Sequence, residues 1–244
     1  MRHTVFYRVL FYAAGLLILA LGLTLNTKTG LGVSPIISVA YSISEIFDQN
    51  FGNMTLALYS TFVVIEMILH LIRNFRYRKA GGGVLAQVGK KDLKWILLMD
   101  FLQIPLSILF TRFLNIFNVL LPTLYSGGNS TAGEMAVRIA FLILAIVFTG
   151  IGAAMSLNMR LVPNPGDGIV QAISDTIHKS VGFTKNCFDL TNILITTCFS
   201  IFFVGHIVGV GIGTLLAMVG VGRTIAVFNH ITYEKMKQLS GVEA

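Results

Sequence analysis

Apolar residues fall into six long blocks along the chain: Val9–Leu25, Met54–Ile72, Trp95–Val119, Ala136–Leu157, Asn186–Gly205 and Val208–Phe228. A helix needs about 20 mostly apolar residues to cross the hydrocarbon core of a bilayer, so each block predicts a spanning helix. Two shorter segments, about 33–47 and 166–181, keep the helical period but carry a polar stripe. Ser34, Ser38, Ser42 and Glu45 recur on one face of the first, and Asp167, Gln171, Ser174 and His178 on one face of the second. Each follows a break in the apolar pattern, Thr29-Gly30-Leu31-Gly32-Val33-Ser34-Pro35 and Pro163-Asn164-Pro165-Gly166-Asp167-Gly168. Ser34 and Asp167 are natural helix caps there.

The order of elements repeats: span, Gly/Pro-rich break, short helix, span, span, then the same again. Leu25-Asn26-Thr27-Lys28 matches Leu157-Asn158-Met159-Arg160, and Gly32-Val33-Ser34-Pro35 lines up with Pro165-Gly166-Asp167-Gly168. Each unit has an odd number of crossings, so the second is expected to be inverted relative to the first. The expected fold is an all-α polytopic membrane protein of two inverted repeats, each three transmembrane helices plus one short re-entrant or interfacial helix. The first repeat takes residues 1–119, an external connection 120–135, the second repeat 136–230, and a cytoplasmic tail 231–244.

Composition narrows the class. The 244 residues are 55% hydrophobic and only 12% charged, half the charge of a typical soluble domain, where about a quarter of residues are charged. Mean hydropathy is +0.78. The net charge of +7 would suggest nucleic acid in a soluble protein. Here the basic residues sit between apolar runs, where Lys and Arg mark the cytoplasmic side of a membrane. Arg2 and Arg8 precede the first span, and Arg73, Arg76, Arg78, Lys79, Lys90, Lys91 and Lys94 follow the second, while residues 120–134 hold no Lys or Arg. Both termini are therefore expected to be cytoplasmic. The run Val9–Leu25 is too long for a signal-peptide core and is kept as a span. Cys187 and Cys198 are too far apart along one helix for a disulfide and read as inert packing residues.

Little in the chain suggests an enzyme. No HExxH, CxxC or Ser/His/Asp pattern is present, and Gly209-Val210-Gly211-Ile212-Gly213-Thr214 lacks the strand and GK[ST] of a phosphate loop. With Ala217 and Gly220 it reads as a small-residue stripe for close helix packing, which a second copy of the chain could also use to form a dimer. Paired interruptions in corresponding halves are the pattern of a transporter's substrate site. The expected contacts to a solute are Ser34, Ser38, Asp167 and Gln171, with Arg112 or Arg223 holding an anionic group. Ionisable residues inside spans are functional candidates, which nominates Asp100, Glu66 and Asp189 to couple Na⁺ or H⁺. No other cofactor or metal is expected.

The runs Gly30–Pro35, Asn164–Gly168 with Gln171–Ser174, and Gly211–Thr214 with Gly222 together resemble the YczE/YyaS/YitT family of bacterial membrane proteins, over about Val9 to Phe228. The resemblance implies a small, transporter-like protein of the bacterial cytoplasmic membrane, and carries no site residues. The expected function is secondary transport of a small polar solute, anionic or zwitterionic, by alternating access. A channel, or a non-transporting scaffold docking a partner through the basic Arg73–Lys94 stretch, are the alternatives.

Overall fold

The computed structural model describes residues 2–79, 93–125 and 131–242. They form eight helices: α1 Arg2–Lys28, α2 Pro35–Ile46, α3 Phe51–Lys79, α4 Leu93–Leu120, α5 Ala132–Asn158, α6 Pro165–Ile177, α7 Val181–Val204 and α8 Ile212–Ser240. Six of these, all but α2 and α6, are long and apolar enough to span a membrane. Most of the stretch 73–94 proposed as a docking surface, Lys90 and Lys91 included, lies outside the described residues.

Element ends differ from the apolar pattern where capping and backbone pairing decide them. Thr131 and Glu134 form a capping box that starts α5 at Ala132, and the Ser180 side chain accepts from the Phe183 N–H to start α7 at Val181. Residues 208–211 are not helical. Gly209 has φ +81°, and its carbonyl accepts from Val33 N–H at 2.8 Å, so the chain is held against the first break. At the other end α8 runs to Ser240, so the basic residues Lys235 and Lys237 belong to a helix rather than to a tail.

The centre of the molecule is the antiparallel pair α1 and α5. Half of the most apolar window of α1 and 44% of that of α5 are buried, against 22–33% in the other four long helices. Within lipid there is no solvent-driven gain from packing apolar helices together, so close backbone approach has to supply the attraction. Glycines make it here. A Cβ at Gly22 would stand 2.5 Å from the Thr149 nitrogen, and one at Gly152 would strike the backbone of Leu19 and stand 2.6 Å from the Gly15 carbonyl oxygen.

Polar clamps close both ends of this pair. Arg138, near the start of α5 and buried, donates from Nε to the Thr29 carbonyl at 2.7 Å and from Nη2 to the Gly30 carbonyl at 3.0 Å. Its guanidinium also lies 4.4 Å from the centre of the Tyr125 ring. Arg8, near the start of α1, donates to the Met159 carbonyl at 2.8 Å and the Arg160 carbonyl at 3.1 Å. Each arginine thus satisfies the carbonyls that the other helix leaves open at its end. The spacing from Arg8 to Arg138 equals that from Gly22 to Gly152 and from Pro35 to Pro165. Arg138→Met should cost about 2–3 kcal/mol, because two charge-assisted hydrogen bonds are lost and buried carbonyls are stranded. Arg8→Met should cost less, since its site is partly open. Thermal unfolding of the two variants in detergent would compare them, and an equal loss would contradict the burial argument.

The short helices lie beside long helices from the opposite half of the chain, each parallel to its neighbour. Along α2 and α7, Ser38 meets Thr196 at 2.8 Å and Ser42 meets Ser200 at 2.8 Å, hydroxyl to hydroxyl. The same offset brings Pro35 level with Ile193, midway along α7. Along α6 and α3, Arg73 Nη1 pairs with Asp175 Oδ2 at 2.8 Å, and Gly168 abuts the Glu66 carboxylate, which brings Pro165 level with Val63, midway along α3. Both short helices therefore begin at mid-depth of the bundle and run to opposite ends of it. Their starts meet: Ile36 packs against Gly166, whose Cβ would stand 2.9 Å from the Ile36 Cδ1.

Candidate functional site

Both short helices start with proline at the first position, where its fixed φ suits a helix and its missing N–H costs nothing. The residue before each proline is the cap. In α6 that is Asn164, whose side chain accepts from Gly166 N–H at 3.1 Å. Asp167, the cap expected from sequence, is displaced into the first turn because Pro165 sets the start of the helix. Ser34 precedes α2 and makes no side-chain cap bond. Its backbone N–H is instead met from α1: with its amide turned to suit, Asn26 accepts from Ser34 N–H at 3.2 Å and donates to the Gly32 carbonyl at 2.8 Å. Asn26 is 2% exposed, so the first break is braced from inside the bundle.

Between the two helix starts lies a cavity of about 50 Å³, lined by Ser34, Pro35 and Ile36 from one break and Asn164, Gly166 and Asp167 from the other. Leu19 and Leu23 of α1, Thr149 and Ala153 of α5, Tyr59 of α3, and Lys185 and Asp189 of α7 complete most of the wall. That volume holds about three to five water molecules. Two helix N-termini, each carrying partial positive charge, converge on it. Lys185 Nζ stands 3.2 Å from Asp189 Oδ2. The other carboxylate oxygen, Asp189 Oδ1, is buried with no hydrogen-bond partner among the described residues. The cavity therefore offers the positive ends of two helix dipoles and the Lys185 ammonium beside acceptors from Asp167 and Asp189. Together they match a small solute bearing both signs of charge.

A second polar cluster lies on the other side of the first turn of α6. Glu66, Asp100 and Gln103 are 4%, 3% and 0% exposed. Gln103 Nε2 donates to Glu66 Oε2 at 3.0 Å, and His70 Nδ1 lies 2.7 Å from Asp100 Oδ2.

The candidates read from sequence thus separate. Ser34, Asp167 and Asp189 share the cavity, and Glu66 and Asp100 share the second cluster. Ser38 is not in the cavity wall; its hydroxyl is held by the Pro35 carbonyl and Thr196, so the serine stripe of α2 faces α7 instead of water. Gln171 is exposed and donates to Asp175 Oδ1 at 2.7 Å. Arg112 reaches Asn53 Oδ1 at 3.3 Å in an exposed position. Arg223 lines a separate, largely apolar groove with Val147, Ile151 and Val227. Neither arginine approaches the cavity, because a hydropathy pattern places a residue along a span but not around it. Cys187 and Cys198 are free and exposed on the outer surface of the bundle, not packed within it. The glycines of 209–213 serve the fold of one chain: Gly213 N–H donates to the Leu31 carbonyl at 2.7 Å, and a Cβ on Gly211 would strike the Leu31 oxygen.

Tyr59, Asn164 and Lys185 enter the cavity wall without having been singled out in the sequence. Lys185 falls just before the apolar block that starts at Asn186. Its place one helical turn before Asp189 was the available signal, since residues four apart share a face.

The family model described as "Family of unknown function (DUF6198)" matches residues 6–230. The chain belongs to the DUF6198 family. A protein of Haemophilus influenzae described as uncharacterized is 29% identical to this DUF6198 chain over 105 residues. That match covers 40% of the chain and 45% of the relative, so the chain spans under half of that protein's length. No solved structure matches the chain.

Proposed function

We propose that this DUF6198 protein is a secondary transporter of a small zwitterionic or anionic solute, working by alternating access. The observation that carries this reading is the cavity at mid-depth on which the starts of α2 and α6 converge with Asp189, whose buried Oδ1 has no hydrogen-bond partner among the described residues. Broken backbone within a membrane is tolerated where protein or a wet cavity satisfies it, and half-helix starts aimed at a midplane site are the pattern of solute transporters. In this reading α2 and α6 are re-entrant segments, and the two halves are inverted repeats. The matched spacing of Arg8 and Arg138, of Gly22 and Gly152, and of Pro35 and Pro165 supports that symmetry. We place the chain, on the same grounds as its sequence resemblance, beside the YczE/YyaS/YitT proteins of the bacterial cytoplasmic membrane. Both termini would lie in the cytoplasm, as the basic residues of 73–79 favour.

The test is thermal unfolding of the detergent-purified chain against amino acids, small carboxylates and other small polar solutes. A ligand present at a hundred times its Kd stabilises by about 2.7 kcal/mol. A selective shift in wild type that vanishes in Asp167→Asn is the expected result. A hit that Asp167→Asn binds equally well would remove the cavity from the reading. Flux in proteoliposomes far above transporter turnover would make the protein a channel.

Orientation has its own expected outcome. With Cys187 and Cys198 replaced by serine, a cysteine at Asp48 should react with an external membrane-impermeant thiol reagent in intact cells, and one at Lys179 should not. Labelling at Lys179 alone would reverse the orientation.

A further inference from the structure

We propose that Glu66, His70, Asp100 and Gln103 form a binding site for one divalent first-row transition-metal cation. One donor atom from each of Glu66, His70 and Asp100 lies within 4.8 Å of the others. Metal–ligand bonds of about 2.0–2.2 Å set donor atoms on one ion roughly 3–4 Å apart, so the most distant of these three need to close by about 1–2 Å.

Two carboxylates alone would not make a site. The decisive atom is Gln103 Oε1. It is buried, in a residue 0% exposed, and has no hydrogen-bond partner among the described residues. The amide nitrogen of the same side chain is already spent on Glu66 Oε2, which holds the oxygen in place beside the carboxylate. A buried acceptor without a donor is costly, and a cation is the group that would satisfy it together with its acidic neighbours. The same oxygens are gathered on one spot. A Cβ on Gly168 would stand 2.6 and 3.0 Å from the two Glu66 oxygens and 3.1 Å from Gln103 Oε1. Only a residue without a side chain lets these three oxygens converge beside the first turn of α6. The ion pairs among the described residues commit Arg73 to Asp175 and Lys185 to Asp189, and none brings a lysine or arginine to Glu66 or Asp100.

The donor set selects the ion. Carboxylate and amide oxygens suit hard cations, whereas an imidazole nitrogen suits Mn²⁺, Fe²⁺, Co²⁺ or Zn²⁺ better than Na⁺ or Mg²⁺. The site lies one residue from the solute cavity: Asp167 lines the cavity and Gly168 touches Glu66. A bound ion would fix the first turn of α6 and hence the carboxylate of Asp167. That coupling role rests on the transport reading; the binding site does not.

The experiment strips the purified full chain with chelator and dialyses it against Mn²⁺ or Co²⁺ with no solute present, reading bound metal by mass spectrometry. Wild type should retain about one ion per chain. Glu66→Gln and Asp100→Asn should each weaken binding at least about tenfold, and Gly168→Ala should weaken it by crowding Glu66 and Gln103. Asp167→Asn should keep the ion. If either carboxylate variant fails to elute as a folded monodisperse species, Gly168→Ala decides the matter. A wild type that retains no ion, or variants that retain it with unchanged affinity, would overturn the site. Metal binding without any solute shift would keep the site and overturn the transport reading, and a solute shift without metal would do the reverse.

Discussion

Gly152→Val should prevent the bundle from assembling. The three atoms nearest the added Cβ are all backbone on α1, the nitrogen and Cα of Leu19 and the carbonyl oxygen of Gly15, the last at 2.6 Å. Backbone cannot swing away as a side chain can, so α1 and α5 must move apart. Overpacking a well-fitted core costs about 1–3 kcal/mol, and a clash confined to backbone at the centre of the molecule should reach the top of that range or exceed it. The separation would also draw Arg138 and Arg8 away from the carbonyls they hold. Size-exclusion of the detergent-extracted protein should show loss of the monodisperse species. Gly133→Ala, where nothing stands within 4 Å of the new Cβ, should behave as wild type. A folded Gly152→Val protein of normal thermal stability would mean that α1 and α5 are not the axis of the fold.

Asp189→Asn should abolish solute binding while leaving the fold intact. The change is isosteric, but it removes the negative charge that Lys185 pairs with. Removing one member of a buried charge pair costs 2–5 kcal/mol or more, which corresponds to a loss of about 30-fold or more for a solute whose cationic group sits on that carboxylate. Lys185→Gln placed on top of Asp189→Asn should recover thermal stability without recovering binding. This separates the contribution of the pair to folding from its contribution to the solute, as a double-mutant cycle is built to do. Normal binding of the stabilising solute by Asp189→Asn would exclude the cavity as the site.

Much of the architecture was legible in the chain because hydropathy reports length directly. The six blocks and both short helices were located, with ends shifted by up to twelve residues, as at Ser240, and by about four where a cap such as Thr131 or a backbone pairing such as Val33 with Gly209 decided them. What hydropathy does not report is azimuth. Arg138 falls near the start of the Ala136–Leu157 block, yet it is buried, because the carbonyls of Thr29 and Gly30 face it across the α1–α5 pair. Arg112 and Arg223 carry the same charge and point elsewhere. Ser38 shares a stripe with Ser34 but binds Thr196, because α2 leaves the cavity at its start and runs on alongside α7. The position of Pro165, not the acidity of Asp167, fixed the start of α6.

The crossed arginine clamps have a consequence for how the protein is made. The carbonyls of Thr29 and Gly30 leave the ribosome roughly a hundred residues before Arg138, an interval of roughly 5–20 s at ordinary synthesis rates. During that time the first break has no partner, and open backbone is not stable against lipid. The nascent first half must therefore be sheltered by the insertion machinery, or kept wet, until α5 arrives. Expressed as a separate fragment, it should be degraded unless the second half is supplied alongside it.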